Sequence, residues 1–111
     1  MSRRIDKVNE IIKQEISKII EKEIGVGWGF LTVTHVSTAP DLRLADVWVS
    51  VYDKKIDNLD VSLKEFTPVI QRILNKRLHL KYVPKINLKI DNSTAYAFEI
   101  DKTLSKIKKL N

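Results

Sequence analysis

The sequence predicts an α+β fold in which a three-stranded sheet carries helices on one of its faces. Three observations support this prediction: the chain has the length of one domain, long segments have apolar residues at helical spacing, and three short segments are strand-like. The chain has 111 residues, of which 43% are hydrophobic, so it can bury a core without disulfides. We therefore expect residues 1–111 to form a single domain.

The first element is predicted to be a helix from about Arg3 to Ile24, with Ser2 as a candidate N-cap. Its apolar residues recur every three or four positions: Ile5, Val8, Ile12, Ile16, Ile19, Ile20 and Ile24. The glycine motif Gly25-x-Gly27-x-Gly29 comes next, after a helix and before a strand. Phosphate-binding loops have the opposite order, so we interpret the motif as a structural turn.

Two strands are predicted next, from about Phe30 to Val36 and from about Arg43 to Tyr52. Both are rich in β-branched and aromatic residues, which favour strands. The connecting segment contains Pro40-Asp41, a pair typical of turns. The two strands are therefore expected to form an antiparallel hairpin.

A second helical region is predicted from about Val61 to His79, with Pro68 near its middle. Its apolar face comprises Leu63, Phe66, Val69, Ile70, Ile73, Leu74 and Leu78. Proline has no N–H and moves the preceding residue, Thr67, away from helical geometry. We therefore expect a kinked pair of helices that meet at Pro68.

The last predicted elements are a strand from Lys85 to Ile90 and a helix from about Ala95. In the strand, Ile86, Leu88 and Ile90 are expected to face the core, because they alternate with polar residues. The complete predicted order is α-β-β-α-kink-α-β-α.

Several classes of function are disfavoured by composition. The chain has no cysteine, and His35 and His79 lie far apart, so no metal site or other cofactor is expected. No apolar run approaches the roughly 20 residues that span a membrane, and the N-terminus does not resemble a secretory signal. We expect a cytoplasmic monomer that has no membrane partner and no small-molecule substrate.

The sequence also shows no catalytic arrangement. Asp41, Asp91 and Asp101 are interpreted as turn or cap residues, and both histidines as structural or surface residues. A hydrolase that uses Asp41, Asp91 and a histidine remains an alternative, but no spacing of nucleophile and base supports it. The chain is therefore not expected to be an enzyme.

Positive charge is the main functional signal. The net charge is +6, and the segment from Asn75 to Lys89 contains five basic residues and no acid. Such a surface gains affinity for RNA by neutralising phosphates and releasing counterions, although a merely solvated helix face has the same composition. Charge alone leaves nucleic acid, an anionic membrane surface and an acidic protein open as partners. The candidate RNA-binding residues are Arg3, Arg4, Lys7, Arg72, Lys76, Arg77, Lys81, Lys85 and Lys89.

Three aromatic residues, Trp48, Tyr52 and Tyr82, could stack on RNA bases. Trp48 and Tyr52 share one strand face, opposite the valines. Aromatic residues are also common in cores, and for Trp48 we favour packing over stacking.

The predicted order of elements resembles a KH-type RNA-binding domain of the second topology. KH domains hold RNA with a GXXG loop, which this chain lacks because it has no glycine after Gly29. The combination resembles the ribosome-binding factor A family. The matching segments are Arg4-x-x-Lys7-Val8, Glu23-Ile24, Gly29-Phe30-Leu31-Thr32-Val33-Thr34, Ala39-Pro40-Asp41-Leu42-x-x-Ala45-x-Val47-x-Val49-Ser50, Leu78-x-Leu80-Lys81-x-x-Pro84-x-Ile86 and Asp91-x-Ser93. The family's Asp-Pro-Arg turn and Ala-x-Gly kink are replaced by Gly25-Val26-Gly27-Trp28 and Phe66-Thr67-Pro68.

The resemblance implies an assembly factor of the small (30S) ribosomal subunit. Such a protein would bind free 30S subunits through 16S rRNA, assist late maturation and processing of the 5′ end of that RNA, and support growth in the cold. It would act without catalysis. The alternative is a basic interaction module that binds an acidic protein through the same surface.

Overall fold

Two helices and three strands are formed by residues 3–91, the part of the chain that the computed structural model describes. The candidate cap Ser2, the predicted last helix from Ala95 and the predicted cap residue Asp101 lie outside these residues. The elements are α1 (Arg3–Glu23), β1 (Phe30–Thr38), β2 (Leu44–Tyr52), α2 (Leu59–Arg77) and β3 (Lys85–Ile90). The predicted α+β class is confirmed.

Helix α1 packs against the sheet through the apolar stripe that its spacing predicts. Val8, Ile12, Ile16, Ile19 and Ile20 are buried. The helix ends at the glycine turn, where Gly25 has a φ of 60° and its N–H donates to the carbonyl of Ile20. The turn therefore connects a helix to a strand, as the order of elements predicts.

The three strands form one sheet in the order β1-β2-β3. The predicted hairpin is confirmed, because β1 and β2 pair antiparallel. Strand β3 pairs parallel to β2, so α2 is the crossover connection between them. The register of the hairpin shifts between Val33 and His35, which marks a β-bulge at Thr34.

Helix α2 corrects the prediction of two helices that meet at Pro68. It runs without interruption from Leu59 to Arg77, with Pro68 inside it. The proline removes only the bond to the carbonyl of Lys64, and Lys64 and Pro68 are both exposed, so water can reach that carbonyl. Thr67 remains helical, and its hydroxyl donates to the carbonyl of Leu63 at 2.6 Å.

The core lies between the two helices and one face of the sheet. Ala45, Val47 and Val49 of β2 are fully or almost fully buried there, together with Ile70 and Leu74 of α2. The predicted packing of helices on one face of the sheet is confirmed.

The side-chain amide of Gln71 in α2 fixes the start of β3. Its Nε2 donates to the carbonyl of Pro84 at 3.1 Å, and its Oε1 accepts the N–H of Ile86 at 2.7 Å. These bonds hold β3 next to the end of α2 and thereby position the basic segment that joins them.

Candidate nucleic-acid interface

The basic residues predicted from the sequence do not form one continuous patch. The fold separates them into a pocket at the start of α1, the exposed side of α2, and the sheet face opposite the helices. Lys7 is exposed on α1, and Arg3 is the first residue of that helix. The basic side chains therefore have different neighbouring residues in each of the three locations.

A pocket of about 240 Å³ brings together Arg4 of α1 and Lys81 of the α2–β3 connection. Tyr82 borders the same pocket, is 72% exposed, and has the Lys81 ammonium 5.6 Å from its ring centroid. The remaining walls are apolar: Val8, Leu42, Leu80 and Pro84. Two cations, an aromatic ring and apolar walls suit a nucleobase with its phosphate. We call this site the helix-end pocket.

The β1–β2 loop supplies one wall of the helix-end pocket through Leu42. This residue has a φ of 62°, which is uncommon for a residue other than glycine. The turn is held by the carboxylate of Asp41, which accepts the N–H of Arg43 at 3.1 Å. The predicted turn role of Asp41 is therefore confirmed.

The exposed side of α2 carries Arg72, Lys76 and Arg77 near the end of the helix. Arg72 and Lys76 are open to solvent, whereas Arg77 is engaged by Glu15 of α1, with 2.6 Å between Arg77 Nε and Glu15 Oε2. The hydrogen bond from Arg77 holds the pKa of Glu15 below its ordinary value. Arg77 therefore serves to join the two helices in addition to any contact with RNA.

Lys85 and Lys89 lie on the face of the sheet that points away from the helices. Their register partners in β2 are Leu44 and Trp48. The ammonium of Lys89 lies 3.5 Å from Asp46 Oδ2 and 5.3 Å from the Trp48 ring centroid. These two lysines consequently belong to a different surface from Arg4 and Lys81.

Trp48 is half-buried on this same sheet face, outside the hydrophobic core. His35 lies beside it, with 5.2 Å between the ring centroids. Trp48 therefore lies outside the described core, because strand alternation directs it away from the helices, and it packs against His35 and Lys89.

Among residues 3–91, the candidate catalytic acids and histidines occupy turn, strand-end or exposed positions. Asp91 accepts the hydroxyl of Thr34 at 2.6 Å and so ties the bulge of β1 to the end of β3, while the turn that it is predicted to begin lies outside the described residues. His35 and His79 are both exposed. Within this range no cluster of three histidine or acidic side chains could hold a metal ion, and neither helix could cross a membrane.

Sequence reasoning missed two residues of these surfaces, Phe30 and Leu42. Phe30 pairs in register with Tyr52, and their ring centroids are 6.3 Å apart. The alternation of β1 places Phe30 on the sheet face that points away from the helices. Its pairing with Tyr52 could not be predicted, because it depends on the hairpin register, which the bulge shifts. Leu42 gave no signal, because its place depends on an unusual backbone conformation.

Comparison with known proteins gives a consistent result. Residues 4–104 match the family model described as "Ribosome-binding factor A". The chain is 36% identical over 108 residues to ribosome-binding factor A of Clostridium botulinum, covering 92% of each protein. It is 33% identical over 110 residues to that of Caldicellulosiruptor saccharolyticus, covering 94% of this chain and 82% of the relative.

Solved structures of similar fold carry the same description. The crystal structure of ribosome-binding factor A from Thermus thermophilus superposes with a TM-score of 0.67 at 15% identity, over 78% of this chain and 94% of that one. A Thermus thermophilus homology model, fitted into a cryo-electron microscopy map of a 30S complex, gives a TM-score of 0.65 at 15% identity, over 76% and 91%. At this identity the likeness establishes the fold.

Proposed function

The chain belongs to the ribosome-binding factor A family, and on this premise we propose that it binds the free 30S ribosomal subunit through 16S rRNA. The observation that carries the proposal is the family match, which extends over residues 4–104. A protein of similar fold has been fitted into the map of a 30S complex, which supports the same partner.

The described surface suits RNA. The helix-end pocket joins Arg4 and Lys81 to an exposed tyrosine, and Arg72 and Lys76 add solvent-facing cations on α2. Each cation that contacts a phosphate displaces counterions, so affinity should fall with added salt. These two separate groups of cations on the helix side of the protein, Arg4 with Lys81 and Arg72 with Lys76, are together called the basic helix surface.

In this proposal the protein is a cytoplasmic, monomeric assembly factor without catalytic activity or cofactor. Its binding assists the late maturation of the subunit and the processing of the 5′ end of 16S rRNA, and it supports growth in the cold. RNA is held by the basic helix surface, because residues 30–111 contain no glycine for a GXXG clamp.

The test is cosedimentation of the full chain with purified free 30S subunits at low and at moderate salt. We expect association at about 50 mM salt and a loss on the order of a thousandfold in affinity at about 200 mM, as for a protein that makes about six phosphate contacts. Absence of association at low salt would contradict the proposal. Capture of an acidic protein that survives ribonuclease treatment, without binding to the subunit, would instead support the protein-interaction alternative.

A further inference from the structure

The sheet face that points away from both helices carries aromatic residues in cross-strand pairs. We call it the open sheet face and define it by Phe30, His35, Trp48, Tyr52 and Lys89. Both helices pack against the opposite face in the part of the chain that the structure describes, since α1 contacts β1 and α2 contacts β3 through the core.

Two aromatic pairs follow the β1–β2 hairpin. Phe30 and Tyr52 are opposite each other, with ring centroids 6.3 Å apart and ring planes inclined by 35°. His35 and Trp48 are also opposite each other, at 5.2 Å and 41°. Positions 48 and 52 are four residues apart on β2, or about 13 Å. A chain that lies along β2 would therefore cross both pairs.

Exposure of these rings indicates a binding surface. Phe30 is 50% exposed and Tyr52 is 46% exposed, although the core beneath them is well packed. Large apolar groups that remain accessible side by side commonly mark an interaction site. The rings stand on paired strands of one sheet, which fixes the spacing of their backbone positions.

Two lysines on this face can contact an anionic ligand. Lys89 lies over Trp48 at 5.3 Å from the ring centroid, and Lys85 precedes it on the same face of β3. The acid beside them, Asp46, is engaged by Lys89 at 3.5 Å and by the side-chain amide of Asn87 at 3.2 Å. A second acid, Asp91, follows at the end of β3 and accepts the hydroxyl of Thr34 at 2.6 Å. Both carboxylates are therefore held by hydrogen bonds within the protein, and Lys85 and Lys89 are the groups on this face that can contact a phosphate.

We propose that the open sheet face binds single-stranded RNA, with bases stacked on the Phe30–Tyr52 and His35–Trp48 pairs and a phosphate beside Lys89. Any base can stack on an aromatic ring, so binding should tolerate sequence and require unpaired bases. The inference rests on the proposed function for the nature of the ligand, but it assigns a second surface, distinct from the basic helix surface.

The experiment measures binding of a uridine-rich 12-nucleotide RNA to the full chain by tryptophan fluorescence. The Trp28→Phe variant leaves Trp48 as the sole tryptophan, and phenylalanine is a mild change because Trp28 packs edge-on against Phe66. We expect the single strand to quench Trp48 and the same sequence in duplex form to bind this face at least tenfold more weakly. Equal quenching by the duplex, or none by the single strand, would overturn the inference.

Variants locate the contact. In the Trp28→Phe background, Phe30→Ala and Tyr52→Ala should each weaken single-strand binding about tenfold, as expected for the loss of one stacked base. Phe30→Tyr and Tyr52→Phe keep the ring and should bind as well as their parent. Val61→Ala, which truncates a 53% exposed residue on α2, is the matched control and should have no effect. Full binding by both folded alanine variants would overturn the inference.

Two other occupants of the open sheet face, a second copy of the chain and another part of the same chain, would give results that differ from those expected for RNA. If a second copy covers this face, sedimentation will show a dimer that Tyr52→Ala dissociates; if another part of the chain covers it, iodide will fail to quench Trp48 in free protein. Either result overturns the inference.

The same variants are tested for cosedimentation with 30S subunits. Wild-type protein that binds the subunit but not the single strand contradicts only the inference, whereas failure of both contradicts both proposals.

Discussion

Gly29 determines how closely the start of β1 approaches the end of β2. Its φ is +101°, and a Cβ built on it would lie 2.5 Å from the carbonyl oxygen of Asp53 and 2.9 Å from that of Tyr52. Those neighbours are backbone atoms that cannot turn aside as a side chain can. Glycine is therefore required for both its conformation and its size.

We predict that Gly29→Ala destabilises the protein by about 2 kcal/mol or more, because it adds strain at a positive φ to a backbone clash. Urea unfolding measures the change in free energy. Gly27→Ala is the matched control, since its Cβ would lie 3.4 Å from the Ile24 carbonyl oxygen, and it should cost clearly less. Equal losses for the two variants would contradict this account of the turn.

At the scale of elements, the ion pair between Glu15 and Arg77 joins α1 to the end of α2. The side chain of Glu15 is 20% exposed and that of Arg77 is 39% exposed, so solvent screens the pair. Because Arg77 lowers the pKa of Glu15 in the folded state, the pair stabilises the protein when the pH is above the unfolded-state pKa of about 4.3. This contribution is lost as the pH falls through the lower folded-state pKa.

We therefore predict that Glu15→Gln costs about 0.5 kcal/mol near neutral pH and that its difference from wild type vanishes on acidification below the folded-state pKa. Urea unfolding at a series of pH values gives the measurement. Arg77→Gln should remove most of the same pH dependence, because only the weaker contact from Lys18 at 3.7 Å then remains, and the double variant should lose no more than Glu15→Gln alone. A difference that persists unchanged in acid would rule out this electrostatic link.

Most elements could be predicted from the sequence, because α1 and the three strands each bury one side against the core. That burial produces the apolar spacing of α1 and the alternation of apolar and polar residues in β1 to β3. The continuity of α2 could not be predicted. Pro68 interrupts a helix only if the missing hydrogen bond is costly, and here the affected carbonyl of Lys64 is on the solvent side. The apolar face of α2 already places positions 64 and 68 on the polar side, but the sequence does not show that the helix can accommodate the proline ring beside the Lys64 carbonyl without ending.

The candidate site was predicted less completely than the fold, for a geometric reason. Five basic residues between Asn75 and Lys89 are close in sequence, but the chain changes direction and type of structure between them. Lys85 and Lys89 are four positions apart on strand β3, so both lie on the open sheet face. Lys81, in contrast, lies in the helix-end pocket. Glu15, which engages Arg77, is 62 residues away and gave no local signal.

At the scale of the whole molecule, two surfaces on opposite sides of one sheet are proposed to contact RNA. The basic helix surface supplies charge, and the open sheet face supplies stacking. The central claim is that the charged surface binds the 30S subunit. Arg77 is left unchanged in its test, because removing it would also break the contact with Glu15.

The most direct test compares two charge-reversal triples in cosedimentation with free 30S subunits over a range of salt. Arg72→Glu, Lys76→Glu and Lys81→Glu change the proposed surface, whereas Lys13→Glu, Lys22→Glu and Lys54→Glu lower the net charge of +6 equally at exposed positions outside it. We predict that the first triple weakens association strongly and reduces the slope of log affinity against log salt by about two to three, whereas the control triple binds far better. If the first triple variant folds and still binds 30S subunits with wild-type affinity and wild-type salt dependence, the proposed RNA-binding surface is contradicted.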